Sequence, residues 1–168
     1  MKSTRNVEIA NARESDLDGI LELQAANQIS SGGKLSASFS RLQLKLIMRN
    51  MPLLVARRES KVVGFLVCSD SETSSDIPII QAMLNAHPTR ARDAYVYGPI
   101  CIEAKERGKG LAQLLFGELR RQLPGREGVL FIRRDNEASI KAHLKMGMRE
   151  VSQFSFGGID HIVLSYVG

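Results

Sequence analysis

A basic, glycine-rich turn spans residues 107–112, Arg-Gly-Lys-Gly-Leu-Ala, and its residue types suit the binding of phosphate. Glycine has no Cβ, so the backbone at Gly108 and Gly110 can approach a ligand closely and present its amide groups. Apolar residues at helical spacing follow directly: Leu111, Leu114, Leu115, Leu119 and Leu123. The first amides of such a helix have no partner within it and lie at the positive end of its dipole. Together with the charges of Arg107 and Lys109, they predict a pyrophosphate site.

Two familiar phosphate-binding motifs do not fit this turn. A P-loop needs serine or threonine after its Gly-Lys pair, whereas here Gly110 follows Lys109. A dinucleotide fingerprint needs a third glycine where this chain has Gln113. Residues 103–106 also separate the turn from the preceding strand, whereas that fingerprint opens its helix directly from the strand. A nucleotide-binding dehydrogenase module is therefore the least supported alternative.

A third pattern, Arg-x-x-Gly-x-Ala, is matched in full by Arg107, Gly110 and Ala112. Further along, residues 136–148 begin with asparagine and end in Lys-x-Gly-Met. The first stretch resembles the acyl-CoA-binding signature of the GCN5-related N-acetyltransferase (GNAT) superfamily. The second resembles that family's helix ending in Lys-x-Gly-Phe, with Met148 in the place of the phenylalanine. The two motifs also follow each other in the order and spacing of the family.

The resemblance implies a fold and an acyl donor. The fold is a single α/β domain over residues 5–168, in which helices flank a mixed, mostly antiparallel central sheet. The donor is acetyl-CoA, a cosubstrate bound by the turn and its surroundings: Ile100, Ile102, Arg107, Gly108, Lys109, Gly110, Leu111, Ala112, Asn136 and Ser139. Capping of the following helix is a second role open to Asn136, and one residue can fill both roles.

The activity implied by the resemblance is direct attack of a primary amine on the thioester of acetyl-CoA. It needs a base for the amine, donors for the developing oxyanion and an acid for the departing thiolate. In many family members a tyrosine occupies the position of His143, which makes His143 the candidate acid, as an imidazolium that titrates near neutral pH. Packing near the helix end is the competing interpretation.

The sequence identifies a candidate general base less clearly than a candidate general acid. Family carboxylates that act as base lie on the central strand or the next one, where this chain has Tyr95, Tyr97 and Phe131. Glu103, at the end of the central strand, is the nearest candidate, and a solvated turn residue is the competing interpretation. A noncatalytic regulatory domain that binds acetyl-CoA is the alternative function, and it would bind CoA without turnover.

Composition limits the class of protein. The chain has 168 residues, of which 43% are hydrophobic and 24% charged, as in one ordinary globular domain. It contains no apolar run long enough to cross a bilayer and does not begin like a secretory leader, so we expect a cytoplasmic protein without a membrane partner. Cys68 and Cys101 lie in apolar, strand-like runs, which favours buried reduced thiols, and no metal site is expected.

Charge favours a small polyanion over nucleic acid. The net charge is +5, but lysine and arginine are spread along the chain and only 5% of residues are aromatic, so no nucleic-acid module is indicated. A moderate positive balance suits a polyanionic cosubstrate. We therefore expect a small-molecule or peptide amine as the partner, and a homodimer stays open.

Hydrophobic periodicity predicts the elements that position these residues. Strands are expected at 6–10, 53–57, 61–69, 95–102, 129–132, 150–156 and 161–166. Gly98-Pro99 interrupts the central strand and predicts a bulge there. Helices are expected at about 17–24 and 38–50, the first begun by a Ser15-x-x-Asp18 capping box.

An additional helix is predicted around residues 77–84, capped by Asp76 and with Pro78 in its first turn. It covers apolar surface, overhangs the acceptor pocket or carries a dimer contact. In the family that the chain resembles, the connection between the first two helices borders the acceptor. The acceptor pocket would therefore be built from the variable segments 28–34 and 70–92 and the final hairpin.

Overall fold

A computed structural model describes residues 6–28, 38–74 and 76–168 of the chain. Its elements are β1 (Val7–Asn11), α1 (Leu17–Ala26), α2 (Arg41–Asn50), β2 (Leu53–Arg58), β3 (Lys61–Asp70), α3 (Ser71–Ser74), α4 (Pro78–Ala86), β4 (Tyr95–Ile102), α5 (Leu111–Gln122), β5 (Glu127–Arg133), α6 (Glu137–Lys145), β6 (Arg149–Phe156) and β7 (Ile159–Val167). The predicted bounds of β4 are confirmed, and the other predicted strands differ only at their ends. Residues 29–34, predicted to border the acceptor, lie outside the described residues.

The strands form a seven-stranded sheet in the order β1-β2-β3-β4-β5-β7-β6. The pairs β1–β2, β2–β3, β5–β7 and β6–β7 are antiparallel, and β4–β5 is parallel. A mixed, mostly antiparallel sheet with helices confirms the expected α/β class. Nowhere in the described ranges does a helix have the length and apolar character needed to cross a membrane.

The chain divides into two compact units, and β4 contributes to both. The first unit comprises residues 1–68 and 98–122, and the second comprises residues 69–97 and 123–168. At the junction within β4, Gly98 has a φ of 104° and the Gly98–Pro99 peptide bond is cis. The β4–β5 register pairs Tyr95 with Gly128 and Val96 with Val129. The bulge expected at Gly98 stays a prediction.

The core of the first unit lies between α5 and the strands β1 and β2. Every residue of β2 is buried, and α5 contributes an apolar stripe at helical spacing: Leu111, Leu115, Phe116 and Leu119. Ser40 begins α2 through a capping box with Gln43, which places the helix start at Arg41 and not near residue 38. The Gln24 side chain bonds both backbone groups of Phe39 at 2.9 Å and so fixes the chain just before α2.

The core of the second unit surrounds β7, which pairs with β5 on one side and β6 on the other. The predicted helix around 77–84 is α4, which packs on β6 with an apolar set of buried residues: Ile79, Ile80, Met83 and Leu84. Ile77, and not Asp76, occupies its N-cap. Glu127 on β5 fixes the loop that follows α4, since its carboxylate accepts hydrogen bonds from the Ala91 amide at 2.6 Å and from the Ser165 hydroxyl at 2.6 Å.

A buried ion pair joins β2 to the residues just before α1. Arg57 donates to both carboxylate oxygens of Asp16, at 2.8 and 2.6 Å, and the side chains are 4% and 6% exposed. Asp16 also accepts a hydrogen bond from the Arg13 amide at 2.7 Å, so the local turn is closed by this residue and not by the predicted pairing of Ser15 with Asp18. The hydrogen bonds from Arg57 are the main cause of the lowered pKa of Asp16.

Replacing Asp16 with asparagine removes the buried carboxylate from Arg57 and leaves it the exposed carboxylate of Glu8, which lies 2.7 Å away. We therefore expect the free energy of unfolding to fall by about 2–3 kcal/mol at neutral pH. Urea denaturation measures this change. Because the pKa of Asp16 is lowered, its stabilisation is present above about pH 4 and is lost as the pH falls through the lowered pKa. The curves of the wild type and D16N should therefore converge in acid.

The matched control is Asp18→Asn, which removes the exposed pair of Asp18 with Arg41. Exposed pairs contribute little, so this variant should lose less than about 1 kcal/mol. Equal losses in D16N and D18N would contradict a special role for the buried pair.

Candidate functional site

The predicted pyrophosphate turn lies in the first unit, between a 3₁₀ turn at Ala104–Glu106 and the start of α5 at Leu111. Gly108 and Gly110 have φ angles of 76° and 83°, in the left-handed region that favours glycine. Gly108 has no atom within 4 Å of a virtual Cβ, and at Gly110 the nearest is Gln113 Oε1 at 3.8 Å. Both glycines are exposed, so the backbone of the turn is open to a ligand.

Backbone amides at the start of α5 add to the features that suit an anion. The Leu114 amide donates to the Gly110 carbonyl at 3.1 Å. The amides that precede it in the first turn of a helix have no acceptor within that helix, and they lie at the positive end of its dipole. Open glycine backbone that leads into a helix N-terminus suits an anion, and binding of a pyrophosphate here stays a prediction.

Arg107 is fixed by hydrogen bonds to two other parts of the first unit. Its Nε donates to the Ile102 carbonyl at 3.1 Å, and one terminal nitrogen donates to Asn27 Oδ1 at 2.6 Å. The side chain thereby joins the end of β4 to the end of α1. Ile100 and Ile102 are both partly exposed and alternate with the buried Cys101, so these two predicted cofactor contacts share a face of β4.

A buried ion pair beneath the turn was not predicted. Glu106 accepts two hydrogen bonds of 3.0 Å from Arg58, one from Nε and one from a terminal nitrogen, and both side chains are nearly buried. Lys109 Nζ lies 3.6 Å from the same carboxylate. Arg58 is the main cause of the lowered pKa of Glu106. The pair is 48 residues apart, and no local spacing signal connects its members.

A cavity of about 580 Å³ adjoins this pair, and its lining includes Arg58, Lys61, Glu103, Glu106 and Lys109. Glu103, the predicted base, accepts a hydrogen bond from Lys61 Nζ at 3.2 Å, and its amide donates to the Val63 carbonyl at 2.8 Å. Its carboxylate is thus already in an ion pair whose lysine is 70% exposed.

The remaining predicted residues lie in the second unit, on or beside α6. Asn136 caps the helix, since its Oδ1 accepts a hydrogen bond from the Ser139 amide at 3.4 Å. His143 is only 4% exposed. Its Nδ1 lies 2.7 Å from the Ser139 carbonyl and its Nε2 lies 3.1 Å from the Tyr97 hydroxyl. The structure thus brings Asn136, Ser139 and His143 together and adds Tyr97, which the sequence did not single out.

These two contacts assign the tautomer of His143. A carbonyl oxygen only accepts, so Nδ1 carries the hydrogen and donates to Ser139. In the neutral ring Nε2 is then an acceptor, and the Tyr97 hydroxyl donates to it. Burial lowers the pKa of His143, and the bond to the Ser139 carbonyl offsets part of that effect. The expected imidazolium therefore meets surroundings that favour the neutral ring.

Tyr97 is a buried, protonated phenol. Burial is the main cause of its raised pKa, with a smaller contribution from Tyr95. Its ring packs edge-on against His143, with centroids 5.5 Å apart and an interplanar angle of 88°. The sequence signal that could have identified Tyr97 was its position on the central strand, where family members carry a carboxylate base. A tyrosine in an apolar strand is ordinarily a core residue, so residue type alone did not mark it.

Sequence comparison places the chain in a family. The sequence profile of the acetyltransferase (GNAT) family matches residues 20–148. No curated protein sequence matches the chain significantly.

Solved structures share the fold across nearly the whole chain. An N-acetyltransferase from Staphylococcus aureus Mu50 superposes with a TM-score of 0.70 at 21% identity, covering 96% of this chain and 98% of that one. The phosphinothricin acetyltransferase (Pat) from Sinorhizobium meliloti, solved with AcCoA, gives 0.70 at 20% identity, with coverages of 96% and 88%. The ribosomal-protein-alanine N-acetyltransferase from Brucella melitensis gives 0.68 at 20% identity, with coverages of 96% and 99%.

The family match spans most of the chain. The fold is shared with acetyltransferases, and the open glycine backbone of the turn suits pyrophosphate. The protein is therefore an N-acetyltransferase of the GNAT family, whose members use acetyl-CoA as the acyl donor.

Proposed function

We propose that the protein transfers the acetyl group of acetyl-CoA to a primary amine of a small molecule or peptide, by direct attack within a ternary complex. The observation that carries the proposal is the turn at residues 107–112, where Gly108 and Gly110 hold left-handed backbone before the N-terminus of α5. Two of the structural neighbours are named for phosphinothricin and for a ribosomal-protein alanine. The two names differ in the acceptor they mention, so the proposal names only the amine class.

The turn is the proposed site of the pyrophosphate, through the backbone of Gly108, Gly110, Leu111 and Ala112 and the charges of Arg107 and Lys109. Contacts of Ile100 and Ile102 on β4, and of Asn136 and Ser139 at the start of α6, with the rest of acetyl-CoA stay predictions. Bound acetyl-CoA supplies the thioester carbonyl carbon as the electrophile.

The catalytic roles predicted from the sequence are general base for Glu103 and general acid for His143. The Glu103 carboxylate is paired with Lys61, and the His143 ring is hydrogen-bonded at both nitrogens in surroundings that lower its pKa. These contacts favour a structural role for Glu103. They also favour His143 as a proton acceptor in its resting state.

Acetyl-CoA titration by calorimetry, followed by thiol release against a panel of primary amines, tests the proposed function. We expect saturable binding and release of free CoA thiol with at least one amine, because an open phosphate turn and an acetyltransferase fold serve that reaction. Binding without turnover on any amine would favour the regulatory alternative. Absence of binding would remove the assignment of the turn.

Replacing Gly110 with valine should abolish measurable acetyl-CoA binding while the fold is retained. A β-branched residue at a φ of 83° is strained by about 1–2 kcal/mol and places a side chain where the backbone must meet phosphate. Calorimetry measures the affinity, and circular dichroism checks the fold.

Gly117→Ala is the matched control, since Gly117 lies on the exposed face of α5 with no atom within 4 Å of a virtual Cβ. It should bind acetyl-CoA like the wild type and gain about 0.5–1 kcal/mol of stability. Undiminished binding by G110V would contradict the proposed pyrophosphate site.

Glu103→Gln tests the sequence-based base. Because the carboxylate is engaged in a partly exposed ion pair, we expect kcat to fall by no more than about fivefold, the equivalent of about 1 kcal/mol. The control is Lys61→Gln, which breaks the same pair and leaves the carboxylate. A loss of about a hundredfold in E103Q alone would identify Glu103 as the general base.

A further inference from the structure

We propose that Tyr97 and His143 form a proton relay, in which the Tyr97 oxygen takes the proton from the attacking amine while its own hydrogen passes to His143 Nε2. The inference rests on the proposed acetyl transfer. The relay supplies a base for the amine. The central strand and the next one carry no carboxylate at the family's base positions, and the Glu103 carboxylate is paired with Lys61.

The first step of the argument is orientation. The Ser139 carbonyl fixes the hydrogen of His143 on Nδ1, so the lone pair on Nε2 faces the Tyr97 hydroxyl at 3.1 Å. A histidine that acts as a general base has this arrangement: one ring nitrogen donates to an acceptor that orients the ring, and the other accepts from a hydroxyl. The ring of Tyr166 packs edge-on against Tyr97 at 5.9 Å, which restricts the phenol from a second side.

The second step is protonation state. Tyr97 is 3% exposed and His143 is 4% exposed, so a resting charge on either group would be poorly solvated. Within the described residues, the groups at hydrogen-bonding distance from the His143 ring are the Tyr97 hydroxyl from β4 and the carbonyl and hydroxyl of Ser139 on α6. All are neutral. A neutral histidine that accepts from a neutral phenol has the protonation needed to take up a proton.

The third step is location along the chain. Tyr97 directly precedes Gly98-Pro99 and lies on the same strand as Ile100, a predicted contact of the acyl donor. His143 lies one helical turn after Ser139, another predicted contact. The relay therefore joins two elements to which donor-binding residues were assigned on other grounds.

The proton balance of one cycle is complete. A neutral amine forms a bond from nitrogen to the carbonyl carbon, and the carbon–sulfur bond breaks with its electron pair on sulfur. The nitrogen loses one proton to the Tyr97 oxygen as the phenol hydrogen moves to His143 Nε2. The imidazolium then returns a proton through Tyr97 to the thiolate, which leaves as the free thiol and restores both side chains.

The experiment compares Tyr97→Phe, His143→Gln and Tyr95→Phe in the intact chain. Y97F removes the relay hydroxyl, and we expect kcat to fall about a hundredfold or more with acetyl-CoA affinity unchanged. H143Q keeps an acceptor oxygen for Tyr97 but cannot take up a proton near neutral pH. It should lose kcat to a similar degree and lose the acidic limb of the pH–rate profile.

Y95F is the matched control, because Tyr95 is a buried tyrosine on the same strand whose hydroxyl bonds to that of Tyr166. It should retain the wild-type kcat. Thermal denaturation of all three variants separates loss of fold from loss of chemistry, and H143Q keeps the test decisive if Y97F does not fold.

The outcomes separate the two proposals. Wild-type turnover together with wild-type kcat in Y97F, or an unchanged acidic limb in H143Q, would overturn the relay and leave the acetyl transfer standing. Equal losses in Y97F and Y95F would assign the effect to packing and also overturn the relay. Absence of thiol release by the wild type with every amine would overturn both.

Discussion

The bidentate ion pair between Arg58 and Glu106 joins the end of β2 to the turn that opens α5. Two hydrogen bonds from one planar guanidinium fix both the position and the orientation of the carboxylate, and with it the 3₁₀ turn at Ala104–Glu106. The glycines that follow have no side chains to hold them, so their geometry depends on this anchor before them and on α5 after them. Removing Arg58 would take two hydrogen bonds from the nearly buried Glu106 carboxylate and release the turn from β2.

Local patterns predicted the fold because the sequence signal for each helix or strand lies within a few residues. The glycine turn, the leucine stripe of α5 and the Asn136 cap depend on contacts between near neighbours in sequence, and the structure contains the turn and the cap. Of the predicted stripe, Leu114 is exposed and Leu123 lies beyond the end of α5. The errors at helix starts have the same origin. Several polar residues near Ser15 can each cap a helix, and the role of Asp16 depends on Arg57, which is 41 residues away. At α4 the N-cap is the apolar Ile77, which no capping preference indicates.

The chemistry of the candidate site was less predictable because it depends on pairs that only the fold brings together. His143 was visible as the residue in a tyrosine position, but its tautomer and protonation state are set by burial and by contact with Tyr97, 46 residues away. Glu103 was visible as the nearest carboxylate, but its pairing with Lys61 follows from the β3 strand beside it. Spacing identifies which residue types are present, whereas solvent exposure decides which charge state each one holds.

Lys109 is the residue of the turn whose charge is already shared, since its ammonium lies 3.6 Å from the Glu106 carboxylate. An anion that approaches the turn therefore competes with an internal carboxylate for that ammonium. A singly charged carboxylate offers Lys109 nothing that Glu106 does not, whereas a pyrophosphate brings more charge and more acceptor oxygens. At the proposed pyrophosphate site, the pair of Lys109 with Glu106 would therefore favour anions of high charge density over singly charged ones.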